Sequence, residues 1–100
     1  MNIDSDVFEK AKRALKKYGP EAQRELAVGE IGELLEIYGK EVQNRASSED
    51  WTEEIADVYI ILPALVMIHS SKEDVEEKVE EKLSKLEKIM NEETNHPHNE

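Results

Sequence analysis

The chain has 100 residues, of which 24 are acidic and 13 basic, and it carries a formal net charge of −11 and no cysteine. This length predicts a single domain with a limited core, for which oligomerisation is a common remedy. A net charge this negative leaves no basic stripe that could bind a phosphate backbone, so we expect no nucleic-acid partner. The missing cysteines exclude disulfides and thiolate metal sites.

The N-terminal segment and the longest apolar run predict a protein without membrane contact. The starting segment MNIDSDVFEK has no basic region and no apolar stretch, so no signal peptide is visible. The longest apolar run, from Val58 to Ile68, is too short for a membrane span and contains Pro63. We therefore expect a cytoplasmic protein that does not bind membranes.

Apolar residues repeat with a helical period nearly throughout and predict an all-α fold. The stop and cap signals are Gly19-Pro20, the segment 46–48 and Ser70-Ser71. The predicted helices run from Asp4 or Ser5 to about Tyr18, from about Glu21 to Arg45, from about Asp50 to His69, and after Ser70-Ser71 to near Met90. We expect one helical domain over residues 1–90 and a disordered polar tail over residues 91–100.

The third predicted helix points to a dimer. From Val58 to Ile68 it is apolar almost all round, which is typical of a helix enclosed on every side. Three other helices of one short chain can hardly enclose it. The short link after the second helix makes the second and third helices an antiparallel pair. The expected fold is an antiparallel bundle of about four helices that dimerisation completes.

Two acidic pairs interrupt the apolar pattern of the middle helices. Glu30 and Glu33 lie on one stripe of the second helix, and Glu54 and Asp57 lie on one stripe of the third, each pair spaced i, i+3. Buried carboxylates must be protonated, hydrated or bound to metal, and oxygen ligands favour Mg²⁺, Mn²⁺ or Ca²⁺. The alternative is a pair of solvated acidic faces, which are common on helices. The pattern alone leaves both interpretations open.

The same segments carry a family resemblance. GEIGELLEIYGK and EEIADVYIILPAL resemble the two helical motifs of the MazG-like nucleoside triphosphate pyrophosphohydrolases, whose pattern is E-E-x-x-E followed by E-x-x-D. This chain has Gly29-Glu30-x-x-Glu33 and then Glu53-Glu54-x-x-Asp57. EEKLSKLEKI resembles the third core helix of the family, and KYGPEAQRELAVGEIGEL resembles its short, phage-like, single-domain branch. The match covers roughly residues 17–90.

The resemblance implies a fold, an assembly and an activity. The fold is that of the all-α NTP pyrophosphatases, assembled as a homodimer or a dimer of dimers. The activity is Mg²⁺-dependent hydrolysis of an NTP or dNTP to the monophosphate and pyrophosphate, with Mn²⁺ as a possible substitute and nucleotide-pool sanitation as the role. Glu30, Glu33, Glu54 and Asp57 match the metal ligands of the family.

Catalysis is expected from Glu33 and Glu54 together with Glu53, which neighbours the second acidic pair. Glu53 has two interpretations, as a residue that orients water and as a solvated side chain. Gly29 stands where the family usually has the first Glu of its doublet. The alternative function is therefore a catalytically degraded dimer of the same fold that acts as a binding or interaction module.

Four further side chains are candidates for substrate contact: Lys40, Asn44, Trp51 and Lys82. Lys40 and Lys82 would meet phosphates, or lie on the surface, where Lys40 can pair with Glu36. Trp51 would stack on a base, or pack in the core or the dimer interface. Asn44 would contact a base edge, or cap the end of the second helix.

Overall fold

A computed structural model describes residues 5–95, and all secondary structure within that range is α-helical. The four helices are α1 (Ser5–Tyr18), α2 (Pro20–Val42), α3 (Ser48–His69) and α4 (Lys72–Asn95). The predicted all-α class and number of helices are thus confirmed. No single helix in the described range is long and apolar enough to cross a membrane, and α3 with α4 meets that test only as a pair bent by 113°.

The break between α1 and α2 lies at the predicted residues. Gly19 has φ 90°, a left-handed conformation that favours glycine, and its N–H donates to the carbonyl of Leu15 at 2.9 Å. Pro20 follows at the first helical position, where its missing N–H costs nothing. The break between α3 and α4 also agrees, because Ser71 Oγ accepts from the N–H of Asp74 at 3.1 Å.

The link between α2 and α3 differs from the prediction at both ends. α2 ends at Val42, three residues before Arg45, because Asn44 adopts a left-handed conformation with φ 58°. α3 begins at Ser48 rather than near Asp50. Ser47 caps it through a reciprocal box, in which the Ser47 side chain accepts from the Asp50 N–H at 3.1 Å and the Asp50 carboxylate accepts from the Ser47 N–H at 3.0 Å.

The end of α4 also differs from the prediction. The helix continues to Asn95, five residues beyond Met90, so residues 91–95 are helical rather than part of a disordered tail. Glutamates at positions 92 and 93 are good helix formers and allow this extension. The rest of the predicted tail, residues 96–100, lies outside the described range, as does residue 4 of the predicted α1 cap.

The core lies where α2 crosses α3. Ala27 of α2 and Ala64 of α3 are completely buried, Ile61 is buried beside them with 6% of its surface exposed, and Leu65 packs against this cluster. The start of α2 therefore meets the end of α3. At the opposite end, the Trp51 indole N–H donates to Glu41 at 3.0 Å. These two contacts make α2 and α3 antiparallel, as the short link predicts, and α1 packs against both.

Large apolar side chains remain exposed on the single chain. On α2, Leu35 is 67% exposed and Val42 68%, and on α3, Ile55 is 55% exposed and Ile60 57%. The apolar segment of α3 is therefore not enclosed on every side by its own chain. Dimerisation stays a prediction, and these side chains are the ones that a second copy would cover.

Candidate metal centre

Small residues allow the two acidic stripes to meet. Ala27 and Ala64 have no exposed surface, so the backbones of α2 and α3 approach closely at this level. Glu30 lies one turn after Ala27 on the same side of α2. Asp57 precedes Ile61 by one turn on α3. The packing of these small and branched residues thus carries the carboxylates of both helices into one space.

All the predicted metal ligands converge there. Glu30, Glu33, Glu54 and Asp57 each offer a carboxylate oxygen that lies within 4.8 Å of the other three. We call this group the carboxylate cluster. In the described part of the chain, Lys10 forms an ion pair with Asp6 and Lys78 forms one with Glu81. Neither lysine pairs with a carboxylate of the cluster.

Two oxygen atoms of the cluster are buried without a partner. Glu54 is only 7% exposed, and its Oε1 atom and the Oε2 atom of Glu30 make no hydrogen bond to any described residue. A buried polar atom without a partner is costly, and most buried polar atoms in proteins are satisfied. A hard divalent cation fits this set of donors, because it takes carboxylate oxygens and neutralises their charge.

The crowding of negative charge appears in the pKa values. Burial raises the pKa of Glu54 to about 7, and the charges of Glu33 and Glu30 add to the effect. Burial also raises the pKa of Glu30 above its ordinary range, followed by the charges of Asp57 and Glu33. A proton therefore occupies the cluster at mildly acidic pH, and a cation would compete with it.

The remaining predicted site residues lie outside the cluster. Glu53 is exposed on α3 beside Glu54. Lys82 is exposed on α4, a helix whose backbone neighbours α3 alone. The role of Glu53 in orienting water and the contact of Lys82 with a phosphate both stay predictions.

The other three predicted substrate-contact residues, Lys40, Asn44 and Trp51, lie at or near the α2–α3 link. Trp51 is half-buried, and its indole N–H is engaged by Glu41, which is a packing role at the link. Asn44 ends α2 through its left-handed conformation, in keeping with the cap interpretation. Lys40 is exposed and contributes to lowering the pKa of Asp50, after the hydrogen bonds of Asp50 to Ser47. Substrate contact by these residues stays a prediction.

A cavity beside the cluster was not anticipated from the sequence. It has a volume of about 570 Å³, lies between α1, α2 and α3, and has Glu30 and Asp57 in its wall. Gln23 and Tyr18 also line it. The signal for Gln23 is its spacing, since Gln23, Ala27 and Glu30 follow the i, i+4, i+7 pattern of one helix face.

Comparison with protein-family models, with curated proteins and with solved structures found no match to this chain. The likeness of its two helical motifs to the MazG-like enzymes therefore stays a resemblance.

Proposed function

We propose that the chain is a Mg²⁺-dependent nucleoside triphosphate pyrophosphohydrolase that converts an NTP or dNTP to the monophosphate and pyrophosphate. The observation that carries the proposal is the convergence of four carboxylates from two antiparallel helices, two of which have buried oxygens without partners. Such a cluster repels a triphosphate unless cations lie between them. Oxygen donors alone favour Mg²⁺, or Mn²⁺ in its place.

Each cluster residue has a part in this proposal. Glu30, Glu33, Glu54 and Asp57 would hold the cation, which when bound supplies Lewis acidity and neutralises charge on the phosphates. In the reaction, the oxygen of water bonds to the α-phosphorus, the bond to the α–β bridging oxygen breaks, and pyrophosphate leaves. The proton lost by the water needs an acceptor, and the carboxylates of Glu33, Glu54 or the neighbouring Glu53 are the groups available.

The assembly and role belong to the same proposal. A homodimer, or a dimer of dimers, would cover the exposed apolar side chains of α2 and α3. The activity would serve nucleotide-pool sanitation in the cytoplasm.

Analysis of the reaction products tests the proposal. Purified chain is incubated with Mg²⁺ and each common NTP and dNTP, and the spent reaction is separated by anion-exchange chromatography. Monophosphate and pyrophosphate are expected together in equal amounts, and EDTA should stop their formation. Diphosphate with inorganic phosphate as first products would contradict attack at the α-phosphorus.

Gly29 allows the second candidate function to be tested directly. Gly29 is exposed, and a Cβ atom added there would meet nothing within 4 Å, so a side chain can begin there without a clash at its first atom. If the chain binds Mg²⁺ but turns over no triphosphate, the degraded binding module is the better account. Gly29→Glu should then restore turnover if the missing carboxylate is the cause.

A further inference from the structure

Positive charge in this chain is concentrated on α1. This helix contains five of the 13 basic residues and two of the 24 acidic ones, so it carries a net charge of +3 while the rest of the chain carries −14. All five of its basic side chains are exposed. The net charge of the whole chain therefore conceals one basic helix on a strongly acidic body.

One face of α1 lines the cavity beside the carboxylate cluster. Its residues follow the i, i+4, i+7, i+11 spacing of a helix stripe: Val7, Ala11, Ala14 and Tyr18. Glu30 and Asp57 of the cluster lie in the wall of the same cavity. The edge of α1 next to this face therefore borders the space beside the cluster.

Three basic residues, Lys10, Arg13 and Lys17, follow that edge, and we call them the basic rim. Their i, i+3, i+7 spacing puts them on one stripe of α1, directly beside the cavity face. Two contacts agree with this placement. Lys10 itself lines the cavity, and the Nζ atom of Lys17 lies 5.4 Å from the ring centroid of Tyr18, which also lines it.

The charge of the basic rim is available to a ligand. Lys10 forms an ion pair with Asp6 at 3.2 Å, but the two side chains are 70% and 73% exposed, and such exposed pairs are weak. Arg13 and Lys17 form no ion pair with any described residue. The rim therefore presents positive charge to solvent at the border of the cavity.

An anionic substrate needs such a surface to approach this chain. A triphosphate is repelled by a body that carries −14, and the repulsion reaches over a Debye length of about 8 Å at physiological ionic strength. Opposite charge beside a cleft raises the local concentration of a ligand by about tenfold or more. The rim extends over about 10 Å of helix, which suits one small polyphosphate and is too short for a nucleic-acid backbone.

We propose that the basic rim attracts the triphosphate of the substrate to the carboxylate cluster, through its charge rather than through one fixed contact. The proposal rests on the proposed function, which supplies the anionic substrate. The rim residues are positioning residues, because they raise the concentration of substrate at the site and take no part in breaking the phosphoanhydride bond. α1, to which the sequence analysis assigned no role, thereby counteracts the charge of the rest of the chain.

Two matched double variants separate the position of the charge from its amount. Arg13→Gln with Lys17→Gln removes two charges from the rim. Lys12→Gln with Lys16→Gln removes two charges from the side of the same helix that faces away from the cavity. At about 0.15 M ionic strength, the rim double variant should raise KM about fivefold with kcat unchanged, and the control should change KM less than about twofold.

Salt and a charge-preserving variant complete the kinetic test. At about 1 M NaCl the Debye length is only about 3 Å, so the KM values of the rim variant and wild type should converge. Arg13→Lys with Lys17→Arg keeps the charge and should retain the KM of wild type. An equal rise of KM in both glutamine double variants, an unchanged KM in the rim variant, or a loss confined to kcat would overturn the proposal.

Titration with inorganic tripolyphosphate tests the rim without turnover. The full chain, labelled with ¹⁵N, is titrated in the presence of Mg²⁺, and the amide resonances of residues 10–17 are followed. Saturable shifts are expected, with a Kd about fivefold weaker in the rim double variant and within about twofold of wild type in the control. The same Kd in all three proteins would contradict the proposal.

The two proposals fail in different ways. If triphosphates are hydrolysed but both glutamine double variants have the KM of wild type, the role of the basic rim is wrong and the proposed function stands. If no triphosphate is hydrolysed, the proposed function fails, and the titration with tripolyphosphate still decides whether the rim attracts polyphosphates.

Discussion

Acidic pairs with the same spacing behave differently in two regions of this molecule. On α4, Glu77 and Glu80 are spaced i, i+3 and are both exposed. The nearby Lys78 pairs with Glu81 at 3.1 Å, with both side chains more than 60% exposed (62% and 65%). On α2 and α3, pairs with that spacing are brought within 4.8 Å of each other, and Glu54 is buried.

The difference is one of packing rather than composition. The fully buried Ala27 and Ala64 bring α2 and α3 together, so their carboxylates lose water and face one another. The backbone of α4 neighbours that of α3 alone among the described helices, and the acidic face of α4 remains in solvent, where charges interact weakly. The comparison teaches that acidic pairs spaced i, i+3 form a candidate site only where small residues let their two helices pack closely.

The largest expected effect is on hydrolysis. Each of Glu30→Gln, Glu33→Gln, Glu54→Gln and Asp57→Asn keeps the side-chain volume and removes one ligand charge. Each should lower Mg²⁺-dependent turnover by more than about 100-fold while far-UV circular dichroism stays unchanged. Glu36→Gln on α2 and Glu80→Gln on α4 are the matched controls and should retain activity. An equal loss of turnover in the controls would contradict the proposed difference between the carboxylate cluster and the other acidic residues.

The next effect concerns assembly. Leu35 is 67% exposed on the single chain and would be covered in the predicted dimer. Leu35→Asp should place an unpaired charge in that interface and weaken the dimer by about 3 kcal/mol or more. Sedimentation velocity should show a dimer for wild type and for Leu35→Met, and a monomer for Leu35→Asp. A monomeric wild type at micromolar concentration would refute the predicted dimer.

Metal binding should stabilise the fold through the cluster alone. A ligand present at about 100 times its Kd adds about 2.7 kcal/mol to the free energy of unfolding. For a domain of this size, Mg²⁺ should therefore raise the Tm by several degrees in calorimetry. NaCl at matched ionic strength should raise it less, and Glu54→Gln should remove the difference. If NaCl is equally effective, the result is charge screening rather than a site.

A smaller effect is the dependence of stability on pH. The pKa of Glu54 is about 7 in the folded chain, above the ordinary value of 4.5. The folded state therefore keeps a proton that the unfolded state loses, so this group's contribution is full below pH 4.5 and is lost as the pH rises through 7. Without metal, urea unfolding should show a steeper loss of stability over this window for wild type than for Glu54→Gln. Mg²⁺ should oppose the loss, because it binds the deprotonated form.

Local signals were enough to predict most of the fold. Gly19-Pro20 and Ser70-Ser71 mark helix breaks through backbone conformation and capping, which neighbouring residues decide. The end of α2 was missed because Asn44 takes a left-handed conformation that only a few residue types tolerate and that the sequence does not demand. The end of α4 was missed because the polar segment after Met90 is also compatible with a helix.

The candidate site could be predicted in part for the same reason. The i, i+3 spacing places each acidic pair on one stripe of its helix, and the short α2–α3 link predicts that the two helices are antiparallel. The link does not decide whether the stripes face each other, and the structure shows that the four carboxylates converge. Which of them is most buried depends on the register of the two helices, so the raised pKa of Glu54 was not predictable. The spacing of Gln23 with Ala27 and Glu30 indicates the helix face on which Gln23 lies, but the cavity itself depends on how α1 packs, for which the sequence holds no local signal.

Binding of Mn²⁺ followed by electron paramagnetic resonance tests the central claim most directly, because free and bound Mn²⁺ differ in their spectra and no substrate is needed. Wild type and Glu80→Gln should show the same saturable binding, which Mg²⁺ displaces. Glu54→Gln and Asp57→Asn should lose it. Equal binding by all four proteins would mean that the acidic surface as a whole attracts the cation, and the carboxylate cluster would then not be a metal centre.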